Sequence, residues 1–177
     1  YGVPPKSKGD YAFVLHMISS MSDNAIAAVV MPHGVLFRGS SEGIIRENII
    51  KDNLLDAVIG LPNNLFYGTS IPACILIFKK DRKEKDVLFI DASKECEKGK
   101  NQNRLRDEDV EKIYKAYKDR KDIEKYSKVV SLKEIEDNEY NLNIPRYIDS
   151  FEDEDNVDLK SIREEISKLE AERDSLD

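Results

Sequence analysis

Four short apolar runs divide the first half of the chain, and each has the length and composition of a β-strand. They cover residues 25–31, 54–61, 73–79 and 87–92, and they are rich in the β-branched side chains that favour strands. A continuous apolar run is typical of a strand that is covered on both faces of a sheet. We therefore predict four strands, and we expect the first run, which ends at Pro32, to be buried on both faces.

A helix is expected before the first of these strands. Asp10 is placed to act as its N-cap, and the apolar residues that follow have helical spacing, namely Tyr11, Val14, Leu15 and Ile18. Phe13 and Met17 point to a different face of the same helix.

A second helix is expected between the first two strands. Ser40 or Ser41 can cap it, and it continues to about residue 53 with Ile45 and Ile49 facing inward. The resulting order of strand, helix, strand, loop and strand indicates an α/β layered fold.

The second half of the chain is more polar and predicts supporting structure. Residues 107–120 form a helix whose apolar stripe consists of Val110, Ile113, Tyr114 and Tyr117. Ser131 and Glu134 have the spacing of a capping box for a further short helix. Residues 141–148, with the sequence NLNIPRYI, are expected to be irregular.

The last segment combines an acidic linker, residues 151–156, with an amphipathic helix from residue 157 onward. Its apolar residues recur at spacings of three and four, with only Arg173 interrupting the seam: Leu159, Ile162, Ile166, Leu169 and Leu176. Such a helix either packs on its own domain or pairs with a helix of another chain. The narrow seam and the charged linker favour the second alternative.

Charge limits what this chain does by itself. The net charge of the 177 residues is −7, whereas a domain that binds nucleic acid unaided usually has an excess of Lys and Arg to neutralise phosphates. We therefore expect no DNA binding by this chain alone. The charged run at residues 79–86 is interpreted as an exposed turn between strands in preference to a phosphate-binding patch.

Other classes of chemistry have little support in the sequence. The eight glycines include no Gly-x-Gly pair for a nucleotide-binding turn. His16 and His33 lack a second ligand at metal-binding spacing, and we expect His16 at the helix surface or the edge of the core. Cys74 and Cys96 lie in unrelated settings and are expected to be reduced thiols. No segment has the length or apolarity of a membrane span, so we expect a cytoplasmic protein without membrane contact.

Six stretches taken in order resemble one known family. They are DYAFVLHM at 10–17, AVVMPHGVLFR at 28–38, GLPNNLFYGTSIPACILIF at 60–78, LFIDAS at 88–93, GKNQN at 99–103 and NLNIPRYI at 141–148. Together they are similar to the modification subunit of type I restriction-modification systems, and the resemblance covers roughly residues 1–150. The combination and order of the motifs are far more specific than any single motif.

The resemblance implies the C-terminal part of a Rossmann-like S-adenosylmethionine-dependent methyltransferase sheet, with an antiparallel final strand and a C-terminal helical extension. On this interpretation, residues 1–93 belong to the methyltransferase α/β domain. Residues 94–150 form a helical and irregular extension, and residues 151–177 form the linker and the coiled-coil-like helix.

The family transfers a methyl group from S-adenosylmethionine to N6 of adenine in DNA, together with a specificity subunit and a restriction subunit. Its glycine-rich cofactor motif and its Asn-Pro-Pro-aromatic catalytic motif are expected upstream of Tyr1. The Pro-Pro pair of this chain, Pro4 and Pro5, is not that catalytic motif, because no Asn precedes it and no aromatic residue follows it. The isolated chain is thus expected to hold no catalytic residue, to bind no cofactor, and to self-associate through an unpaired sheet edge. The alternative is a non-enzymatic interaction module that uses the C-terminal helix.

The resemblance also assigns roles to three aromatic residues. Phe66 matches the aromatic that stacks on the adenine flipped out of the duplex, and Tyr67 is the less favoured choice. Phe13 matches the aromatic that lies against the adenine ring of the cofactor. Each role has a structural alternative, since Phe66 can pack under its own loop and Phe13 can pack in the core. Gly68 and Pro72 are expected to shape the loop that carries Phe66.

Overall fold

The computed structural model describes residues 1–150, which form a five-stranded mixed sheet with helices on both faces. The helices are α1 Asp10–Ser20, α2 Ser40–Lys51, α3 Asp107–Asp119 and α4 Leu132–Asp137. The strands are β1 Ile26–Pro32, β2 Leu55–Gly60, β3 Ala73–Lys79, β4 Val87–Asp91 and β5 Ser127–Val130. Short 3₁₀ turns cover His33–Leu36 and Ile144–Arg146.

The order of the strands across the sheet is β1-β3-β2-β4-β5. β3 lies between β1 and β2 and runs antiparallel to both. β2 and β4 are parallel, and β5 pairs antiparallel with β4. The antiparallel strand expected from the family resemblance is therefore present as β3.

Two apolar cores cover the two faces of the sheet. On one face, Val58 and Leu76 pack beneath α1, α2 and the segment after α4. On the other face, Ile59 and Leu88 pack beneath α3, which contributes the buried Ala116 to this core. Because the central strands are covered on both sides, their side chains show no alternation between buried and exposed.

The four strands predicted from the sequence are confirmed, but the expected burial of β1 on both faces is wrong. Within residues 1–150, β1 has a single partner strand, and its burial alternates along its length. The side chains of Ile26 and Val30 are 59% and 52% exposed. Only one face of this edge strand is covered, and α1 is the helix that packs on it.

The expected caps of the first two helices are also wrong. Asp10 is the first residue of α1 and not its N-cap, and its carboxylate pairs with Arg38 at 2.5 Å. α2 follows Gly39 and receives no side-chain cap from Ser40 or Ser41. The expected burial of the apolar residues is confirmed in both helices, at Tyr11, Val14, Ile18, Ile45 and Ile49.

The apolar stripe expected for α3 is confirmed in part. Ile113 and Tyr117 pack against the core beside the buried Ala116, whereas Val110 and Tyr114 are exposed. Asp109 is also buried. Asp109 tolerates burial because it accepts hydrogen bonds from the backbone and the guanidinium of Arg106. The capping box expected for α4 is confirmed in its Ser131 half, since the Ser131 hydroxyl accepts a hydrogen bond from the backbone of Glu134 at 3.2 Å. The Glu134 carboxylate accepts from Lys128.

The 79–86 turn is not solvated throughout, because Arg82 is buried within it. Its side chain is 4% exposed, and Nε lies 3.0 Å from a carboxylate oxygen of Asp56, which is 8% exposed. The same carboxylate accepts hydrogen bonds from Tyr117 at 2.8 Å and from Arg120 at 3.2 Å. One buried acid thus joins β2, the 79–86 turn and the end of α3.

The 141–148 segment contains one 3₁₀ turn and is otherwise irregular, as expected. It is nevertheless held firmly, because Tyr147 stacks on Phe89 of β4 with ring centroids 4.3 Å apart. The acidic linker and the amphipathic helix expected at residues 151–177 lie outside the described residues.

We predict that Asp56→Ala lowers the free energy of unfolding by about 3 to 5 kcal/mol, because it leaves the buried Arg82 guanidinium without its carboxylate. Urea denaturation followed by circular dichroism measures the change. Glu84→Ala is the matched control, since Glu84 is an exposed acid of the same turn, and its effect should stay within about 0.5 kcal/mol. A small loss for Asp56→Ala would show that the network is not important for stability.

Candidate functional site at the carboxyl edge of the sheet

The strands β1, β2 and β4 end on the same side of the sheet, which we call the carboxyl edge, and β3 begins there. Pro32 at the end of β1 is opposite Ala73, and Gly60 at the end of β2 is next to Cys74 and Asp91. The segments that follow these strand ends therefore meet at this edge. In open α/β sheets, ligands bind outside the carboxyl ends of the strands, so we take this edge as the candidate site.

The 62–72 loop, which connects β2 to β3, lies at this edge. It has no regular secondary structure and is closed by a hydrogen bond from Asn64 N to Ser70 O at 3.3 Å. Phe66 is 41% exposed and Tyr67 is 93% exposed. Gly68 has a φ of +78°, which confirms its expected conformational role. The loop thus presents two adjacent aromatic side chains, and Phe66 is the one that is partly supported by the protein.

A second segment, residues 97–104, lies against the 62–72 loop. The side chain of Gln102 donates a hydrogen bond to Leu65 O at 2.6 Å, and that of Asn103 donates to Asn63 O at 2.9 Å. The GKNQN motif at residues 99–103 was recognised in the sequence, but no function was predicted for it. Its polar, non-periodic composition was the available signal, and only the structure shows what these side chains contact.

A cleft of about 340 Å³ with both apolar and polar lining residues opens beside the loop. Its lining includes His33, Gly60, Asn63, Asp91, Ser93 and Ile144. Among the described residues, Nε2 of His33 is buried without a hydrogen-bond partner. Burial lowers the pKa of His33 below its ordinary value, although the charge of Asp91 opposes this effect. The imidazole is therefore neutral at neutral pH and is free to accept or donate one hydrogen bond.

Phe13 lies on α1, whose first turn is fixed near the same edge. The hydroxyl of Tyr11 donates to Val35 O at 2.9 Å, just after the end of β1. Phe13 itself is 73% exposed and lies off the face that buries Val14, as the sequence pattern predicted. The expected alternative of core packing is wrong for Phe13 within residues 1–150. Its ring is available to a ligand, and it belongs to a different element from Phe66.

Two arginines that the sequence analysis did not single out fix the turn after β1. Arg38 pairs with both Asp10 and Glu42. Arg46 is buried and donates to the carbonyls of Val35, Arg38 and Tyr140, at 3.1, 2.9 and 2.7 Å. These contacts join α1, α2 and the segment after α4 around the carboxyl end of β1.

A larger cavity of about 730 Å³ lies at the opposite edge of the sheet, where Leu15, Ile18, Leu54 and Lys80 line it. It lacks the convergence of strand ends and the aromatic loop, so we do not assign the function to it.

In residues 1–150, no group of three His, Cys, Asp or Glu side chains is arranged to hold a metal ion. No helix of this part of the chain has the length and apolarity to cross a membrane. His16 is exposed on α1, as expected, and both cysteines are free thiols.

Comparison with known proteins shows which family this chain belongs to. The model of the N-6 DNA methylase family matches residues 1–156. The MjaVIII type I restriction enzyme methylase subunit of Methanocaldococcus jannaschii is 42% identical over 175 residues, which cover 96% of this chain and 30% of that protein. The MpnII methylase subunit of Mycoplasma pneumoniae is 37% identical, over 93% of this chain and 31% of the relative.

Solved structures agree with this match. The methyltransferase subunit of a type I restriction-modification system from Streptococcus thermophilus superposes with a TM-score of 0.83 and is 54% identical. The match covers 84% of this chain and 32% of that subunit. This chain thus spans about a third of the length of the relatives it matches. It has the methyltransferase-type α/β fold, and it belongs to the N-6 DNA methylase family, as a portion of a type I restriction-modification methylase subunit.

Proposed function

We propose that this chain belongs to a subunit that transfers a methyl group from S-adenosylmethionine to N6 of adenine in DNA. In that subunit, the carboxyl edge of this sheet holds the target base. The observation that carries the proposal is the position of Phe66, a partly exposed ring on an irregular loop at the carboxyl edge of a methyltransferase-type sheet. Membership of the N-6 DNA methylase family supplies the reaction class.

An enzyme that modifies a base inside a duplex has to extrude that base and hold it. An aromatic face does this without reading sequence, and stacking contributes roughly 1 to 3 kcal/mol per base. Phe66 fits this role better than Tyr67, because a ring that is 41% exposed is oriented by its surroundings while one that is 93% exposed is not. Tyr67 remains the second choice for the same contact.

S-adenosylmethionine would supply the methyl group, and Phe13 is the described residue best suited to contact it. The exposed ring of Phe13 offers a flat apolar surface for the adenine of the cofactor. In this proposal, the glycine-rich turn and the Asn-Pro-Pro-aromatic motif of the family belong to the preceding part of the parent subunit. No catalytic residue is assigned to this chain.

We further propose that the parent subunit works with a specificity subunit and a restriction subunit, and that DNA binds to the assembled complex. The net charge of −7 supports DNA binding by the complex and not by this chain alone, because an acidic chain cannot by itself neutralise many phosphates. The sequence pattern of residues 157–176 makes this segment the candidate contact with the specificity subunit. The same assignments divide the chain into a methyltransferase part at 1–93, an extension at 94–150 and an assembly segment at 151–177.

We predict that Phe66→Ala in the complete subunit lowers the methylation rate by roughly 5- to 150-fold, the range that corresponds to the loss of one stacking contact. Affinity for S-adenosylmethionine should stay within about twofold. Transfer of labelled methyl groups to duplex DNA measures the rate, and titration calorimetry measures the affinity. Ile71→Ala is the matched control, since Ile71 is an exposed apolar residue of the same loop. Equal losses in rate and cofactor affinity would indicate collapse of the loop instead.

Phe13→Ala should weaken cofactor binding and leave the methylation rate nearly unchanged, the opposite of Phe66→Ala. We expect the dissociation constant for S-adenosylmethionine to rise about fivefold or more, because the lost ring contacts the cofactor, while the rate at saturating cofactor changes little. His16→Ala serves as the control, since His16 is also exposed on α1. An unchanged cofactor affinity would remove Phe13 from the cofactor site.

Changing both Ile166 and Leu169 to Asp should abolish binding of the complete subunit to the specificity subunit. Two charges in an apolar seam cost several kcal/mol when that seam is buried against another helix. We expect the melting temperature to stay within a few degrees, and co-purification measures the binding. Changing Ser167 and Lys168 to Asp adds two acidic residues outside the seam and should leave binding intact. Unfolding of the seam variant would place the helix in its own domain's core.

A further inference from the structure

The 97–104 segment forms a small closed loop between β4 and α3. Its ends are joined by two backbone hydrogen bonds, from Glu97 N to Arg104 O at 2.9 Å and from Arg104 N to Glu97 O at 3.0 Å. Between them the chain turns so tightly that a Cβ atom on Gly99 would collide with the carbonyl oxygen of Gln102. A glycine is therefore required there for close approach of the backbone, and the shape of the 97–104 segment depends on it.

The tip of this segment and the 62–72 loop are joined by five hydrogen bonds, one of which runs from the Asn103 side chain to Asn63 Oδ1 at 3.3 Å. The Gln102 side chain donates to Leu65 O at 2.6 Å, and the Asn103 side chain donates to Asn63 O at 2.9 Å. The backbone of Asn103 donates to Asn64 O at 2.8 Å, and the side chain of Asn64 donates in return to Asn101 O at 3.2 Å. All the loop residues in these bonds directly precede Phe66.

These bonds satisfy backbone groups that the loop itself leaves unpaired. Residues 62–72 have no helix or strand in which their carbonyls find partners, and buried or half-buried carbonyls need them. The bond to Leu65 O has the most direct consequence. That carbonyl belongs to the planar peptide group that joins Leu65 to Phe66, so the Gln102 side chain fixes the plane from which the Phe66 side chain projects.

We propose that Gln102 and Asn103 are positioning residues that hold the 62–72 loop and thereby orient Phe66 towards an extruded base. The inference rests on the proposed role of Phe66 in the methyl-transfer reaction. Neither residue touches the base. They lower the entropy that a free loop would lose when it closes on the nucleotide, which is how supporting hydrogen bonds increase the rate of a positioned reaction.

The isosteric variants Gln102→Glu and Asn103→Asp test this role in the complete subunit. Each keeps the size of the side chain but replaces the donating amide by an acceptor that faces a carbonyl oxygen. A residue that only fills space would tolerate the change, whereas a hydrogen-bond donor would not. Gly99→Ala is an independent variant that displaces the Gln102 backbone. Asn101→Ala is the matched control, because Asn101 takes part through its carbonyl and not through its side chain.

Amide hydrogen exchange of residues 62–72, followed by mass spectrometry, reports on the loop directly. We expect exchange in this loop to rise on the order of tenfold in the three variants and to stay unchanged in the control, as expected for the loss of one or two hydrogen bonds. Fluorescence of 2-aminopurine placed at the target base should change in the same variants. The methylation rate should fall on the order of tenfold, with affinity for S-adenosylmethionine within about twofold.

Unchanged exchange in the loop would overturn the proposal. A rise in exchange without a fall in methylation would also overturn it as a positioning role, and Phe66→Ala then shows where the failure lies. If Phe66→Ala lowers methylation while the variants of Gln102 and Asn103 do not, only the positioning role is lost. If Phe66→Ala has no effect either, the proposed function of the loop fails as well.

Discussion

The position of β3 between β1 and β2 is the constraint on which the rest of the structure depends. β3 runs antiparallel to both neighbours, so the loop that connects β2 to β3 starts at the carboxyl end of β2. This places residues 62–72 at the edge where β1, β2 and β4 also end. An aromatic side chain on that loop consequently shares an edge with the 33–38 turn and the 92–104 segment, which are distant in sequence.

The two edges of the sheet are stabilised by different means. At the opposite edge, the buried carboxylate of Asp56 gathers Arg82, Tyr117 and Arg120. Hydrogen bonds to a charged group are stronger than neutral ones, and removing one partner leaves a buried charge. At the carboxyl edge, the 62–72 loop is held mainly by neutral amide hydrogen bonds from Gln102 and Asn103. Each such bond contributes only modestly to stability, which suits the loop that we propose to hold the target base.

The family resemblance was accessible from sequence because its motifs are strand and loop segments with distinctive residues. The apolar runs at 54–61 and 73–79 are long, β-branched and bounded by loop residues, so they predict β2 and β3 correctly. Helical periodicity alone predicted that Phe13 lies off the main apolar stripe of α1, and the structure shows that its side chain is exposed. The caps expected at Asp10 and Ser40 failed, because Asp10 is engaged by Arg38, which is remote in sequence.

By itself, the sequence determined where four of the five strands and the four helices form, which face of α1 and α2 is buried, and to which family the chain belongs, but it did not predict β5. These properties depend on periodicity and on local motifs, which are short-range. The tertiary structure alone decided that β1 is an edge strand within residues 1–150, that Arg82 is buried in a charged turn, and that residues 97–104 support the loop of Phe66. Each of these depends on which segments the sheet order brings together, and hydrogen bonds between distant polar residues leave no periodic trace in the sequence.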